Sequence, residues 1–230
     1  MTAPTLDIYI GYDRQEIVAY HVLCQSIVER TSRPVRLTPI NLTSLKSVFD
    51  RPPLSLQSTE FSFSRFLTPW LSGYEGWSLF MDCDMLLRGD IAELFALADD
   101  RCAVMVAKHD YVPKDTVKFL GHAQARYEKK NWSSVMLMNN ARCRALTPEY
   151  VQTASGLELH QFRWLPNEDE IGDLPLEWNW LVGEYAYNPQ ARIAHFTRGG
   201  PYFPDYADCD YGDEWRAMRA RAVHALGRDG

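Results

Sequence analysis

An α/β fold built on a mostly parallel sheet flanked by helices is the class this sequence predicts, and three observations carry it. Short β-rich runs, LDIYI (6–10), VRLTPI (35–40), WSLFMD (77–82) and CAVMVAK (102–108), alternate with stretches of helical character as far as Lys108. Consecutive parallel strands need helical crossovers of this kind. The apolar run Leu79-Phe80-Met81 reads as a strand buried in a core, and no repeat, low-complexity tract or flexible linker divides the chain.

LDIYI is followed by the turn Gly11-Tyr12-Asp13. From Gln15 to Arg30, Ile17, Tyr20, Cys24, Ile27 and Val28 fall at the three-and-four spacing of an amphipathic helix packed on a sheet. VRLTPI is then a second strand, parallel to the first if that helix is the crossover. Phe61 to Leu71 reads as another helix that Pro69 bends or ends. WSLFMD follows as a buried strand, IAELFALA (91–98) as a short helix and CAVMVAK as a strand. Beyond Lys108 the pattern loosens: SVMLMNN (134–140) reads as a strand, PEYVQTA (148–154) as a helix, LPLEWNWL and ARIAHF as short strands among loops, and DEWRAMRARAVHAL as a terminal helix. One domain over 1–230 is expected, with 1–108 as a nucleotide-binding half and 109–230 as a more irregular half that shapes a pocket.

A net charge of −6 over 230 residues argues against a nucleic-acid partner held by bulk electrostatics. MTAPTLDIYIGYD has neither the basic start nor the apolar centre of a signal peptide. No apolar stretch approaches the ~18 residues of a membrane span. Five cysteines, odd in number and without CxxC spacing, fit reduced thiols better than a disulfide frame or a zinc site. A cytoplasmic chain is expected, with peripheral attachment at the inner membrane face through the Arg-bearing terminal helix left open.

The chemistry concentrates at SLFMDCDMLL, where Asp82 and Asp84 close an apolar run. Two carboxylates so near repel one another and resist desolvation, so a cation belongs between them. Residues i and i+2 of a strand point to one side, so the pair converges if the strand persists through it. It lies at the carboxyl end of a strand, where open α/β sheets bind ligands. Hard carboxylate oxygens select Mg²⁺ or Mn²⁺, which commonly bridge to substrate phosphates. Alone, the same spacing also occurs in turns and caps.

FSFSRFLTPWLSGYEGWSLFMDCDMLLRGDIAELF resembles the retaining GT-A glycosyltransferases of the glycogenin and lipopolysaccharide galactosyltransferase group, a family 8-like pattern. There a helix carrying an arginine precedes an apolar strand ending in D-x-D and a small apolar helix. NWSSVMLMNN resembles the group's F-N-[SA]-G-V strand, LPLEWNWL its L-P-x-x-W-N element, and HFTRGGPY its closing histidine segment. The matches run in order from LDIYI to about Tyr202. Trp132 and Ser134 stand where the group has asparagine and glycine, and Arg198 is the nearest cation where it carries a lysine.

The resemblance implies a GT-A fold and a metal-dependent transfer of a hexose from a nucleotide diphosphate-sugar, UDP-sugar favoured, to a carbohydrate-containing or lipid-linked acceptor. Asp82 and Asp84 hold the ion, with His195 as a further ligand; an imidazole makes Mn²⁺ a better fit than Mg²⁺. His195 reads equally as a buried strand-end histidine. Ile10, Tyr12 and Asp13 take the places that contact uracil and ribose, although Asp13 is also a natural helix cap. Arg65, Asp82 and Cys83 face the nucleotide, and Arg198 and Gly200 the diphosphate, where glycine lets backbone amides come close. LPNEDEIGD (165–173) corresponds loosely to the group's acidic segment, which puts Asp169, flanked by Glu168 and Glu170, at the reacting carbon; the same run reads as a solvated acidic loop. The Lys-rich, aromatic stretch 108–132 is a candidate lid or acceptor-facing loop. Three other readings stand beside this one: a D-x-D Mg²⁺-dependent phosphohydrolase of the haloacid-dehalogenase type, a sugar-nucleotidyltransferase, for which IGYDRQEIVAY lacks the glycine-rich basic loop that holds a triphosphate, and a non-catalytic nucleotide-sugar-binding protein.

Overall fold

Leu79, Phe80 and Met81 are wholly buried in β3 (Trp77–Met81), the strand that ends at the paired aspartates. In this computed structural model, which describes residues 5–52, 59–110 and 128–223, β3 is central to a six-stranded sheet of order β2-β1-β3-β6-β5-β7. The other strands are β1 (Leu6–Gly11), β2 (Val35–Ile40), β5 (Val104–Val106), β6 (Val135–Asn139) and β7 (Ile171–Asp173). Three of the five neighbouring pairs are parallel, β1 with β2, β1 with β3 and β5 with β7, while β6 runs antiparallel to both its neighbours. The α/β class with a mostly parallel sheet is thus the observed one. Pro39 is accommodated because β2 is an edge strand, where a missing N–H leaves less of the ladder unpaired.

A second, three-stranded sheet was not foreseen. β4 (Met85–Leu87), β9 (Ile193–His195) and β8 (Trp180–Leu181) pair in the order β4-β9-β8, with Met85 opposite His195. Its own apolar cluster joins Leu86, Ala194 and Phe196 to Trp215 and Met218 of α7 (Gly212–Val223).

α1 (Ile17–Arg30) is the expected crossover between β1 and β2 but buries a different face. Ala19, Val22, Leu23, Ser26 and Ile27 face inward, whereas Ile17 and Val28 are 41% and 58% exposed. The helix lies over the junction of the two sheets. Ser26 Oγ donates to Leu23 O and accepts from Leu87 N at 3.1 Å, which ties the helix to β4. Small residues at 19 and 26 permit that approach, and the second layer turns the packed face away from the stripe that one sheet alone would select.

Phe61–Leu71 divides into a 3₁₀ turn (Ser64–Leu67) and α3 (Thr68–Leu71). Pro69 lies in the first turn of α3, where its missing N–H has no helical partner to lose, so it starts a helix instead of ending one. The remaining α-helices among the described residues are α2 (Leu42–Leu45), α4 (Ile91–Phe95), α5 (Pro148–Thr153) and α6 (Gly156–His160). Residues 111–127 of the expected lid and 224–226 of the expected terminal helix lie outside the described residues.

Candidate active site

The strand does not persist through the paired aspartates. β3 ends at Met81 and β4 begins at Met85, so Asp82, Cys83 and Asp84 form the joint between the two sheets. Asp82 N still donates to Ser134 O at 2.9 Å, and Asp84 O already accepts Phe196 N at 2.9 Å. The buried Cys83 fills the core between them. Because β9 pairs with β4, His195 arrives beside Asp84, with Nε2 3.4 Å from Asp84 Oδ1. One ligand atom from each of Asp82, Asp84 and His195 lies within 4.8 Å of the others. Two carboxylates and an imidazole at that separation suit a hard or borderline divalent ion. His195 is 1% exposed and Asp84 8%; burying an anion so deeply calls for positive charge nearby.

Part of that charge is Arg65. Its Nη1 lies 2.8 Å from Asp82 Oδ1 and 2.9 Å from Ser133 O, and its guanidinium stands over the rings of Phe61 and Phe80. Asp13 is braced from two sides: Gln15 N donates to Oδ1 at 2.8 Å and Glu60 N to Oδ2 at 3.0 Å. It closes the turn after β1 without capping α1, whose N-cap is Glu16. Gly11 must be glycine, because a Cβ there would meet the Phe61 ring at 2.4 Å. Ile10 is buried at the end of β1, and Tyr12 is half-buried, edge-on to Tyr20.

Arg198 is half-buried and donates to Gly183 O at 3.3 Å, on the wall of a cavity of about 430 Å³ that also carries Tyr206 and Asp208. In its loop Gly199 has φ +139°, and a Cβ on Gly200 would meet the Tyr202 ring at 2.2 Å. Glycine at 200 therefore serves the packing of Tyr202.

The acidic segment is not brought to the triad. Ile171 pairs with Val104, Val104 with Met138 and Met138 with Ser78, so residues 168–170 precede a strand whose first residue is level with the start of β3. The aspartate joint lies past the other end of β3. Glu168 pairs with Lys129 at 2.5 Å and Glu170 with Arg142 at 2.8 Å. Asp169 is exposed on a separate cavity of about 720 Å³.

Four residues near the joint escaped the sequence reading. Asn179 Oδ1 lies 2.8 Å from His195 Nδ1. His109 bonds Tyr185 OH through Nδ1 at 2.8 Å and is pushed down to about 3 by burial and the nearby His195, so it stays neutral. Tyr202 OH donates to Glu16 Oε1 at 2.5 Å. Glu16 is 1% exposed, and burial, followed by the charge of Asp84, holds its carboxyl well above the ordinary 4.5. Nothing local marks these positions, because their partners arrive from elements distant in sequence.

Glu16 has a consequence for stability. A carboxyl raised in the folded state keeps its proton where the unfolded chain has released it, so the metal-free protein loses stability as pH climbs above about 4.5. Glu16→Gln still accepts from Tyr202 and should flatten that fall, leaving the variant more stable than the parent at pH 8. Urea unfolding of both proteins at pH 5 and pH 8 is the check, and parallel profiles would discount Glu16.

No family model matches the chain. Protein CDI of Arabidopsis thaliana is 47% identical over 217 residues, which cover 90% of this chain and 83% of that protein. Among solved structures, the bifunctional glycosyltransferase WbbM aligns with a TM-score of 0.65 at 14% identity, over 94% of this chain and 50% of that one. The glycosyltransferase GlyE of Streptococcus pneumoniae TIGR4 gives 0.63 at 13%, over 97% and 61%. The galactosyltransferase LgtC, solved with donor and acceptor sugar analogues, gives 0.56 at 11%, over 96% and 98%. The chain spans half to three-fifths of the length of WbbM and GlyE and nearly all of LgtC. The fold these comparisons share is the GT-A fold.

Proposed function

The chain belongs to the family of Protein CDI of Arabidopsis thaliana, and we propose, from its GT-A fold and its Asp-Asp-His cluster, that it is a metal-dependent glycosyltransferase. It moves a hexose from a nucleotide diphosphate-sugar, UDP-sugar first, to a carbohydrate-containing or lipid-linked acceptor with retention of anomeric configuration. The observation that carries the proposal is the convergence of Asp82, Asp84 and His195 at the rim of the central strand.

Those three residues would hold the cation, Mn²⁺ ahead of Mg²⁺ because of the imidazole. When bound, it supplies Lewis-acid compensation for the charge that develops on a departing nucleoside diphosphate. The chain's own groups do the rest. Arg65 fixes Asp82 against Ser133 O. Tyr12 offers a half-buried ring to the base, beside backbone groups of Ile10 and Cys83. Arg198 offers a guanidinium fork to a phosphate from the loop after β9. The acidic segment at 168–170 has no part in this reading, because it precedes β7 at the end of the sheet away from the aspartate joint.

On this reading the half up to residue 108 carries the base and ribose contacts, and the half from 109 contributes His195, Arg198 and the acceptor side. No helix among the described residues is long and apolar enough to cross a membrane. The five free cysteines accord with a reducing cytoplasm as the place of action. A haloacid-dehalogenase-type phosphohydrolase would use its first aspartate as a nucleophile on the first strand, whereas Asp82 follows the third strand and is ion-paired to Arg65.

Thermal unfolding with UDP, GDP, CMP and simple phosphate esters, each with and without Mn²⁺, tests the assignment. UDP at a hundred times its dissociation constant should add about 2.7 kcal/mol of stability, and only when Mn²⁺ is present. A shift indifferent to Mn²⁺, or turnover of phosphate esters without nucleotide, would sink it. Release of UDP from a UDP-sugar separates an enzyme from a protein that merely binds.

A further inference from the structure

His195 meets the metal-binding face with one ring nitrogen and the protein interior with the other, and the interior side is held by a closed set of hydrogen bonds. Ser134 Oγ donates its only proton to Asn131 O at 2.6 Å. Asn179 Nδ2 donates to the same carbonyl at 3.1 Å and to Ser134 Oγ at 2.9 Å. Both partners of that amide nitrogen are acceptors, the carbonyl by nature and the hydroxyl because its proton is already committed. The Asn179 side chain therefore has one orientation, with Oδ1 toward His195 Nδ1 at 2.8 Å. An amide oxygen only accepts, so Nδ1 carries the hydrogen.

Asn179 and Ser134 are 0% and 2% exposed, so water does not compete for these bonds. Asn131 turns its carbonyl inward from a left-handed backbone, φ +62°.

We infer that Ser134 and Asn179 are positioning residues, which hold His195 in the Nδ1–H tautomer so that the Nε2 lone pair is presented, with Asp84, to a divalent cation. The inference rests on the metal-dependent reading above. It accounts for Nε2 and Asp84 Oδ1 facing each other at 3.4 Å. A protonated Nε2 would pair with Asp84 there, and an unprotonated one meets it as a fellow ligand would, since neighbouring ligands on an octahedral ion with bonds of about 2.1 Å sit roughly 3 Å apart. It also assigns work to the serine at the position where the family pattern carries glycine: without its hydroxyl the Asn179 amide loses one of the two contacts that distinguish its nitrogen from its oxygen. Outer hydrogen-bond partners of ligating histidines are worth roughly 10–100-fold in metal affinity.

The test reads the ring directly. Long-range ¹⁵N–¹H spectra of histidine-labelled, metal-free protein, taken at a pH where the ring is neutral, should show His195 as Nδ1–H. Ser134→Ala should bring in the Nε2–H form and weaken Mn²⁺ binding about tenfold, measured as free Mn²⁺ by electron paramagnetic resonance. Asn179→Asp, which still accepts from Nδ1, should keep the tautomer while losing the donations to Ser134 and Asn131, and serves where Ser134→Ala unfolds. An Nε2–H tautomer in the parent protein overturns the inference, and so does a Ser134→Ala variant with tautomer and Mn²⁺ affinity unchanged. A parent protein with the expected tautomer and Mn²⁺ affinity but no donor binding leaves the inference standing and removes the glycosyltransferase reading.

Discussion

Asp84→Asn is expected to abolish the Mn²⁺-dependent stabilisation by UDP and to lower sugar transfer by about 10²–10³-fold, the usual loss when one preorganised group that compensates developing charge is removed. The same substitution should leave the metal-free protein as stable as its parent, or more so. Asp84 is buried with Glu16 and Asp82 close enough to disturb one another, and burial plus the Asp84 charge already raise the Glu16 carboxyl. A neutral amide of the same shape relieves that repulsion. The two measurements thus move in opposite directions, as expected of a group retained for function against a stability cost. Unfolding midpoints of both proteins without metal, then with Mn²⁺ and UDP, are the check. A large loss of metal-free stability would make Asp84 a structural residue, and an unchanged UDP response would remove it from the site.

How the triad assembles shows what a linear reading could reach. An apolar run stopping at D-x-D marks a strand end and a candidate cation site; the strand does end there, and Asp82 and Asp84 join His195 in a cluster that could hold an ion. The expected cause of convergence was strand alternation; the actual cause is a change of sheet. Met85–Leu87 is too short and too uniformly apolar to announce a separate strand, and its partner Ile193–His195 lies more than a hundred residues later. Register between such segments is set by tertiary packing, which no local pattern encodes. The resemblance named His195 where spacing could not, yet left Asn179 and Ser134 without roles, because their bonds exist only once β6, β8 and β9 come together.

The misses in the fold have the same origin. Periodicity predicts α1, but the spacing selects the face that one sheet alone would bury, and the second sheet moves it. The run at 168–170 reads as a loose acidic match; Glu168 and Glu170 pair with Lys129 and Arg142, and Asp169 stands exposed between them. Arg65 and Asp82, which the resemblance turns toward the nucleotide together, are joined to each other as an ion pair.

That pair yields the largest stability effect expected. The side chains of Arg65 and Asp82 are 6% and 13% exposed, and removing one partner of so buried a pair strands the other's charge at a cost of roughly 3 kcal/mol, the low end for buried pairs because Asp82 keeps some contact with water. Arg65→Met preserves apolar volume between Phe61 and Phe80 while deleting the cation, so packing changes little and charge dominates. In a chain of 230 residues this corresponds to a fall of roughly 6–12 °C in unfolding midpoint. Saturating Mn²⁺ should recover at least half of the loss, since a divalent ion at Asp82 restores the missing charge. Arg65→Lys should fall between, because an ammonium keeps the charge beside Asp82 but not the planar guanidinium that stands over the Phe61 and Phe80 rings. Adding Asp82→Asn to Arg65→Met should regain most of the metal-free stability, the coupling expected of groups in contact. Additive losses in that cycle, or a deficit blind to Mn²⁺, would mean that Arg65 acts through packing alone and that Asp82 is not shared between an arginine and a metal ion.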